Sequence, residues 1–206
     1  MNLLSLLISS PITALSAILC LVAALTVHEW AHAWVAYKLG DDTPYYDGRV
    51  TLNPLAHLDP LGTIAFLIFS FGWGKPVLIN PNNFKRRSDE LLVALAGPAS
   101  NLVFALLLNL LAFAVGGIFG ELLRLASLIN VSLAAFNILP IPPLDGSSII
   151  DIFFPGYKQL GGSLPALIGL LILINLPIGD TTLIRYLMNP VIHLFSYLTT
   201  LGWHLS

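Results

Sequence analysis

The stretch Thr26-Val27-His28-Glu29-Trp30-Ala31-His32-Ala33 lies inside a long apolar run near the start of the chain. From Met1 to Tyr37, the only acidic or basic side chains are His28, Glu29 and His32. Ionisable groups cost free energy inside a membrane helix, and those that are present usually serve a function. The stretch therefore predicts a transmembrane helix that carries a functional site.

The spacing of the two histidines predicts a metal site. Positions 28 and 32 lie one turn apart on the same face of a helix, where two imidazoles bind one zinc ion. Glu29 is then placed to act as general base toward a water molecule, as in the His-Glu-x-x-His signature of zinc peptidases. The alternatives are a chance match and a polar pair that neighbouring helices satisfy, and the cost of idle charges in lipid disfavours both.

The composition predicts an all-α polytopic membrane protein. The 206 residues are 56% hydrophobic and only 10% charged, and the mean hydropathy is +0.84, as expected for several transmembrane helices. A net charge of −2 with scattered basic residues indicates no nucleic-acid partner. Cys20 is the only cysteine, so no disulfide forms within the chain. We treat residues 1–206 as a single membrane-embedded domain, with a catalytic core over about 12–150.

Long apolar runs predict five transmembrane helices, over residues 12–37, 91–120, 125–144, 159–179 and 186–203. Residues 61–73 are also apolar, but this segment is short for a span, which favours a re-entrant segment. If it does cross the membrane, the number of spans is six. Residues 49–52 have a short strand-like pattern within a loop.

The distribution of basic residues predicts the orientation in the membrane. If the 61–73 segment re-enters, only Arg124 and Arg185 fall on one side of the membrane. The other side carries Lys38, Arg49, Lys75, Lys85, Arg86, Arg87 and Lys158. The more basic side is cytoplasmic by the positive-inside rule. We therefore expect a multi-pass membrane protein with its N-terminus outside and its C-terminus in the cytoplasm.

A proline-rich break in an apolar run supplies the best third metal ligand. The run ends in Asn137-Ile138-Leu139-Pro140-Ile141-Pro142-Pro143-Leu144-Asp145-Gly146, and three prolines in four positions cannot continue a helix. A catalytic zinc ion takes three protein ligands and keeps one position for water. Asp145 is the best-placed candidate for the third ligand. The competitors are His193, which has no partner motif, and Cys20, which precedes His28 by two turns.

Two separated motifs together resemble the site-2 protease family of zinc intramembrane metalloproteases, in its compact prokaryotic form. They are His28-Glu29-x-x-His32 and Asn137-x-x-Pro140-x-x-x-Leu144-Asp145-Gly146. Two further stretches are similar to family motifs, namely Ala96-Gly97-Pro98 and Asn53-Pro54-x-x-His57-x-Asp59-Pro60-x-Gly62. The resemblance covers about residues 20–150. One departure is Gly146-Ser147-Ser148, where many members have Gly-Gly-Arg.

The resemblance implies one zinc ion per chain and assigns the residues around it. His28, His32 and Asp145 are implied as ligands, and Glu29 as the catalytic base. Asn137 is implied to lie near the reacting carbonyl group of the substrate.

Two more polar residues are candidates for the same site. We expect His57 to lie near the zinc without being a permanent ligand, where it would position substrate or the oxyanion, or block the open metal position at rest. Asn101 is a polar residue in an apolar run, and it needs a partner. Its role is either in the site or in a hydrogen bond between helices.

The implied function is that of a zinc-dependent intramembrane endopeptidase in the plasma membrane of a prokaryote. It would hydrolyse peptide bonds within or next to the transmembrane segments of membrane proteins, in regulated intramembrane proteolysis. Its partners would be a transmembrane protein substrate, which could pair with residues 49–52 as an added strand, and the lipid bilayer. The alternatives are a metal-ion transporter and a scaffold that binds membrane helices without cutting them; neither requires Glu29 between the histidines. The oligomeric state stays open.

Overall fold

The computed structural model describes residues 8–69, 72–162 and 164–200. Its helices are α1 (Pro11–Lys38), α2 (Thr43–Tyr46), α3 (Pro60–Phe69), α4 (Arg87–Val115), α5 (Gly117–Asn137), α6 (Ser147–Phe153), α7 (Leu164–Asn175) and α8 (Leu183–Thr199). Short 3₁₀ helices cover Pro54–Ala56, Pro81–Asn83 and Lys158–Gly162. Strands β1 (Pro177–Ile178) and β2 (Thr181–Thr182) form an antiparallel hairpin that pairs Pro177 with Thr182 and Ile178 with Thr181.

Three of the described helices, α1, α4 and α5, are long and apolar enough to cross a membrane. They have 28, 29 and 21 residues. Helix α7 has 12 residues and α8 has 17, so the predicted count of five to six spans is not confirmed. Helix α3 has 10 residues and is about 15 Å long, roughly half of a ~30 Å hydrocarbon core. The choice between re-entry and crossing for residues 61–73 stays a prediction, and residues 70 and 71 lie outside the described part.

The bundle packs through small side chains. Helices α1, α4 and α5 all contact one another. Their buried surfaces are rich in alanine: Ala24, Ala31, Ala105, Ala112, Ala134 and Ala135 are each at most 6% exposed. Larger side chains such as Leu107 and Phe113 point outward. Lipid is as apolar as leucine, so close backbone approach holds membrane helices together. This close packing brings polar groups of α1, α4 and α5 within hydrogen-bond distance.

The loop before α3 contains no strand. Residues 49–52 are irregular, with bends at 50 and 51, so the prediction of a strand-like segment there is wrong. The reason is that the side chain of Arg49 is buried and the carbonyl group of Thr51 accepts a hydrogen bond from His57. Both contacts fold the segment inward rather than along a sheet edge.

The motif around His57 is explained by local structure. Asn53 caps the 3₁₀ helix at Pro54–Ala56 by accepting a hydrogen bond from the Leu55 N–H at 3.1 Å. Asp59 accepts one from the Gly62 N–H at 2.7 Å at the start of α3. A Cβ atom on Gly62 would overlap the backbone of Trp73, so glycine is required there. These contacts fix the loop beside α1.

Helix α6 and the 3₁₀ helix that follows it are each fixed to the N-terminal end of α4 by an ion pair. Arg87 lies 3.4 Å from a carboxylate oxygen of Asp151, and Lys158 pairs with Glu90. At the other side of the connection, Leu139 and Leu144 pack with Leu170 of α7 and Ile184 of α8. The turn between α5 and α6, which contains Asp145, is therefore held from both sides.

Candidate metal centre

Three side chains from distant parts of the chain converge inside the bundle. His28 and His32 lie on α1, and Asp145 lies in the turn after α5. The two Nε2 atoms are 3.1 Å apart, and Asp145 Oδ2 is 3.1 Å from His28 Nε2 and 3.3 Å from His32 Nε2. Among the residues that the structure describes, this is the one group of three histidine, cysteine or acidic side chains placed to hold a metal ion. Cys20 and His193, the two competing candidates for the third ligand, lie in the described ranges but are not part of this group.

The hydrogen bonds of the outer ring nitrogens fix the tautomers of both histidines. His32 Nδ1 lies 2.7 Å from the backbone carbonyl oxygen of Val93. A carbonyl oxygen only accepts, so this nitrogen carries a hydrogen and donates the hydrogen bond. His28 Nδ1 lies 2.6 Å from Asn101 Oδ1. The Asn101 amide is itself oriented, because its Nδ2 donates to the Ala24 carbonyl oxygen at 3.1 Å and to Asn130 Oδ1 at 2.8 Å. Both Nε2 atoms of the neutral rings are therefore acceptors.

When both rings are neutral, three electron-rich atoms thus face one another with no donor hydrogen between them. In neutral imidazoles, two Nε2 lone pairs and a carboxylate oxygen at 3.1–3.3 Å repel one another unless a cation lies between them. Zinc ligands about 2.0–2.1 Å from the metal at tetrahedral angles are about 3.3–3.4 Å apart, close to the spacing found here. The outer hydrogen bonds match the pattern by which proteins orient metal-bound histidines. The residues therefore fit a zinc ion.

Gly97 of α4 leaves the space that the histidines use. A Cβ atom at this position would lie 2.6 Å from His28 Nε2 and would collide with His32 Nε2. The sequence Ala96-Gly97-Pro98 thus matters for the site because it puts a residue without a side chain against both rings.

The turn after α5 sets the position of Asp145. The Gly146 N–H donates to the Asn137 carbonyl oxygen at 2.8 Å, which closes the turn back onto the end of α5. A Cβ atom on Gly146 would collide with the backbone of Ile138 and Leu139, so only glycine fits there. The Asn137 side chain donates to the Leu133 carbonyl oxygen at 3.0 Å, within its own helix. Asn137 therefore contributes its backbone to this turn, and its role toward a substrate stays a prediction.

Glu29 lies next to the three converging side chains without being one of them. Its side chain is 13% exposed, and Oε2 is 3.9 Å from Arg49 Nη2. A separation of 3.9 Å is beyond hydrogen-bond distance, so this contact leaves both carboxylate oxygens free to accept a proton. Its role as general base stays a prediction.

His57 is buried in the loop rather than solvated. Its Nε2 donates to the Thr51 carbonyl oxygen at 2.8 Å, and Nδ1 lies 3.5 Å from Arg49 Nη2. Burial lowers the pKa of His57 below its ordinary value, against the opposing effect of the Thr51 hydrogen bond. A neutral ring with an Nε2 proton leaves Nδ1 to accept from Arg49. His57 is outside the group of three metal-ligating side chains. Arg49 lies between His57 and Glu29, at 3.5 Å from His57 Nδ1 and 3.9 Å from Glu29 Oε2.

Three contributors to the site were missed by sequence reasoning. Asn130 orients Asn101, the Val93 carbonyl oxygen orients His32, and Arg49 faces Glu29. Asn130 was detectable as a polar residue in an apolar run. The carbonyl group of Val93 carries no sequence signal, and Arg49 was expected only as a basic residue on the cytoplasmic side and as part of the strand-like segment 49–52. Asn101, for which two roles were open, bonds both to a neighbouring helix and to His28.

Comparison with known proteins places the chain in a family. Residues 112–174, which include Asp145, match the family model of Peptidase family M50. The "Putative zinc metalloprotease YwhC" of Bacillus subtilis (strain 168) is 43% identical over 154 residues, covering 68% of this chain and 70% of that protein. The "Putative zinc metalloprotease Rip2" of Mycolicibacterium smegmatis is 33% identical over 137 residues, covering 62% of this chain and 53% of its own length. No solved structure matches.

A third relative extends the comparison. The "Putative zinc metalloprotease MJ0611" of Methanocaldococcus jannaschii is 30% identical over 129 residues, covering 60% of this chain and 62% of that protein. The comparisons and the converging ligand atoms support a metalloprotease of the site-2 type, in a chain with three described helices apolar enough to cross a membrane. The chain belongs to peptidase family M50, which confirms the resemblance drawn from its two motifs.

Proposed function

We propose that this chain is a zinc-dependent intramembrane endopeptidase that cuts membrane proteins within or next to their transmembrane segments. The observation that carries the proposal is the convergence of three acceptor atoms among helices apolar enough to cross a membrane, with Glu29 next to His28 on α1. A bundle buried in lipid would not retain such a group without a use for it. Family membership supports the reaction class, and the position of the group inside the bundle supports cleavage within the membrane.

The residues of this chain divide the work between binding and proton transfer. His28, His32 and Asp145 would hold the zinc ion through the three atoms that converge. Zinc in such a site lowers the pKa of water toward ~7 and polarises a carbonyl group. Glu29 accepts the proton of the attacking water and returns it to the leaving amide nitrogen.

Other residues keep these groups in place or meet the substrate. Asn101 and the Val93 carbonyl oxygen hold the two rings so that both Nε2 atoms face inward. Asn137 stabilises the oxyanion once its side chain exchanges the Leu133 hydrogen bond for one to the substrate. The substrate is extended at the cut, because a helix keeps its carbonyl groups in internal hydrogen bonds. His57 acts from the loop by holding Arg49.

A metal-ion transporter is the main competing function. A metal-ion transporter more often shows inverted repeats and ligands spread along a pathway. The described residues hold a single metal-ligating group, with a carboxylate beside it that a transporter does not need.

The proposal is tested with purified protein in detergent and in liposomes. His28→Ala, His32→Ala and Asp145→Ala are expected to lose zinc, measured by elemental analysis, because each removes one of three ligands. Glu29→Gln is expected to keep zinc and lose cleavage of a transmembrane peptide. His193→Ala, a histidine of α8 outside the group, is the matched control and is expected to behave as wild type.

The competing outcomes are distinct. Zinc retained by all three ligand variants would refute the assignment of the three residues as zinc ligands. Full cleavage by Glu29→Gln would refute the role of Glu29 as general base. Zinc flux into liposomes without any peptide cleavage would favour the transporter.

A further inference from the structure

Arg49 is a buried cation in the loop beside the metal centre. Its side chain is 1% exposed. Nη1 donates to the Pro76 carbonyl oxygen at 3.2 Å, and Nη2 donates to the Lys75 carbonyl oxygen. His57 Nδ1 lies 3.5 Å from Nη2. All these acceptors are neutral, so they hold the guanidinium group in place without cancelling its charge.

Two carboxylates lie near the charge of Arg49, and they differ in how exposed they are to solvent. Glu29 Oε2 lies 3.9 Å from Nη2, and the Glu29 side chain is 13% exposed. Asp47 Oδ2 lies 4.0 Å from Nη1, and the Asp47 side chain is 34% exposed. Water screens a charge pair more strongly when it is exposed, so the pair with Glu29 is the stronger of the two. The Nε of Arg49 is buried and has no hydrogen-bond partner among the described residues.

We propose that Arg49 is a positioning residue for Glu29, holding the carboxylate toward the metal centre by charge rather than by a hydrogen bond. The inference rests on the proposed role of Glu29 as general base. A separation of 3.9 Å is too long for a hydrogen bond, so the pairing leaves both carboxylate oxygens free to accept protons. The planar guanidinium, fixed by backbone carbonyl groups, provides a charge at a defined place.

The loop thereby controls the geometry of a residue on α1. The carbonyl groups that hold Arg49 belong to Lys75 and Pro76, and the Lys75 N–H donates to the His57 carbonyl oxygen at 2.8 Å. Losing this support would let the Glu29 side chain leave its productive orientation. A misplacement of about 1 Å at a catalytic group costs about 10²-fold in rate.

The test compares Arg49→Lys with Arg49→Gln in a peptide-cleavage assay in liposomes. Both replacements carry a hydrogen-bond donor, but only lysine keeps the positive charge. We expect kcat to fall about 10²-fold in Arg49→Gln and by a smaller factor in Arg49→Lys, with zinc content and KM unchanged in both. Asp47→Asn, which removes the other carboxylate near the same guanidinium, is the matched control and is expected to keep wild-type kcat.

A double-variant comparison separates positioning from loop support. Replacing Glu29 by aspartate moves the carboxylate one methylene away from Arg49. We expect Arg49→Gln to lower the residual kcat of Glu29→Asp by a much smaller factor than it lowers that of wild type. A merely structural role predicts the same factor in both backgrounds.

Each outcome decides for or against the inference. Equal kcat for the lysine and glutamine variants, wild-type kcat for the glutamine variant, or equal factors in both backgrounds would each overturn it. Loss of zinc or of thermal stability in parallel with kcat in both variants would also overturn it, in favour of loop support. A wild-type protein that binds zinc but cleaves nothing would instead remove the proposed function.

Discussion

Replacing Gly97 by alanine tests whether the space between α4 and the two histidines is required for metal binding. An alanine Cβ would lie 2.6 Å from His28 Nε2 and would collide with His32 Nε2. Ordinary contact begins at 3.4 Å, so the His28 ring has to move by about 0.8 Å or α4 has to shift by as much. Metal–ligand distances tolerate only about ±0.2 Å, so such a movement displaces at least one ligand.

The expected loss of zinc affinity is therefore large. Removing an outer hydrogen bond to a ligand costs about 10–100-fold in metal affinity. Moving a ligand itself should cost at least 10²-fold, or about 2.8 kcal/mol. We expect Gly97→Ala to lose zinc in a chelator competition measured in detergent, and to lose peptide cleavage with it.

Gly169→Ala is the matched control for this substitution. Gly169 lies in α7, and a Cβ atom there meets nothing within 4 Å. The control variant should bind zinc as tightly as wild type, since alanine also favours the helix. Wild-type zinc affinity in Gly97→Ala would refute the reasoning, because it would mean that the rings and the metal do not occupy the space against α4.

Three further predictions concern the hydrogen bond that orients His28, the carboxylate of Asp41 and the orientation of the chain in the membrane. Asn101→Leu should weaken zinc binding about 10–100-fold by freeing the His28 ring, whereas Asn109→Leu on the same helix should not, as measured by chelator competition. Burial by itself raises the pKa of Asp41, but hydrogen bonds from Thr43, Asn80 and Asn83 hold it below the ordinary value of 3.8; stability from this carboxylate is present above pH ~3.8 and is lost as the pH falls toward the lowered pKa. Thermal unfolding at pH 5 and pH 3 should thus show a larger drop for wild type than for Asp41→Asn, and equal drops would contradict the assignment. Reporter tags at Asn82 and Glu121 should report the cytoplasm and the far side respectively, and an external signal at Asn82 would reverse the predicted orientation.

The sequence alone was sufficient for the two motifs of the site and for the membrane helix that carries the first of them. His28, Glu29 and His32 are close in sequence, and helical geometry places them without any tertiary contact. The break at Pro140 pointed to Asp145 because prolines end a helix by local sterics. Apolar runs likewise predicted α1, α4 and α5, whereas the runs over 159–179 and 186–203 correspond to shorter helices in the structure.

Residues 49–52 show where a local pattern was not enough. Alternating residue types there favoured a strand, but burial of Arg49 and the His57–Thr51 hydrogen bond fold the segment inward. Strand preference depends on a neighbouring strand to pair with, and none of the described strands lies beside this segment. Because Arg49 is buried, its guanidinium group lies 3.9 Å from Glu29, a contact that the sequence did not predict.

By itself, then, the sequence determined the metal-ligating residue types, their local geometry and their apolar setting. The tertiary structure alone decided which atoms orient them: Asn101 meets His28 across 73 positions of sequence, and the Val93 carbonyl oxygen meets His32 across 61. Asp145 meets His28 across 117 positions. Such pairings depend on how closely small residues let the helices approach, and a backbone carbonyl group has no identity in the sequence.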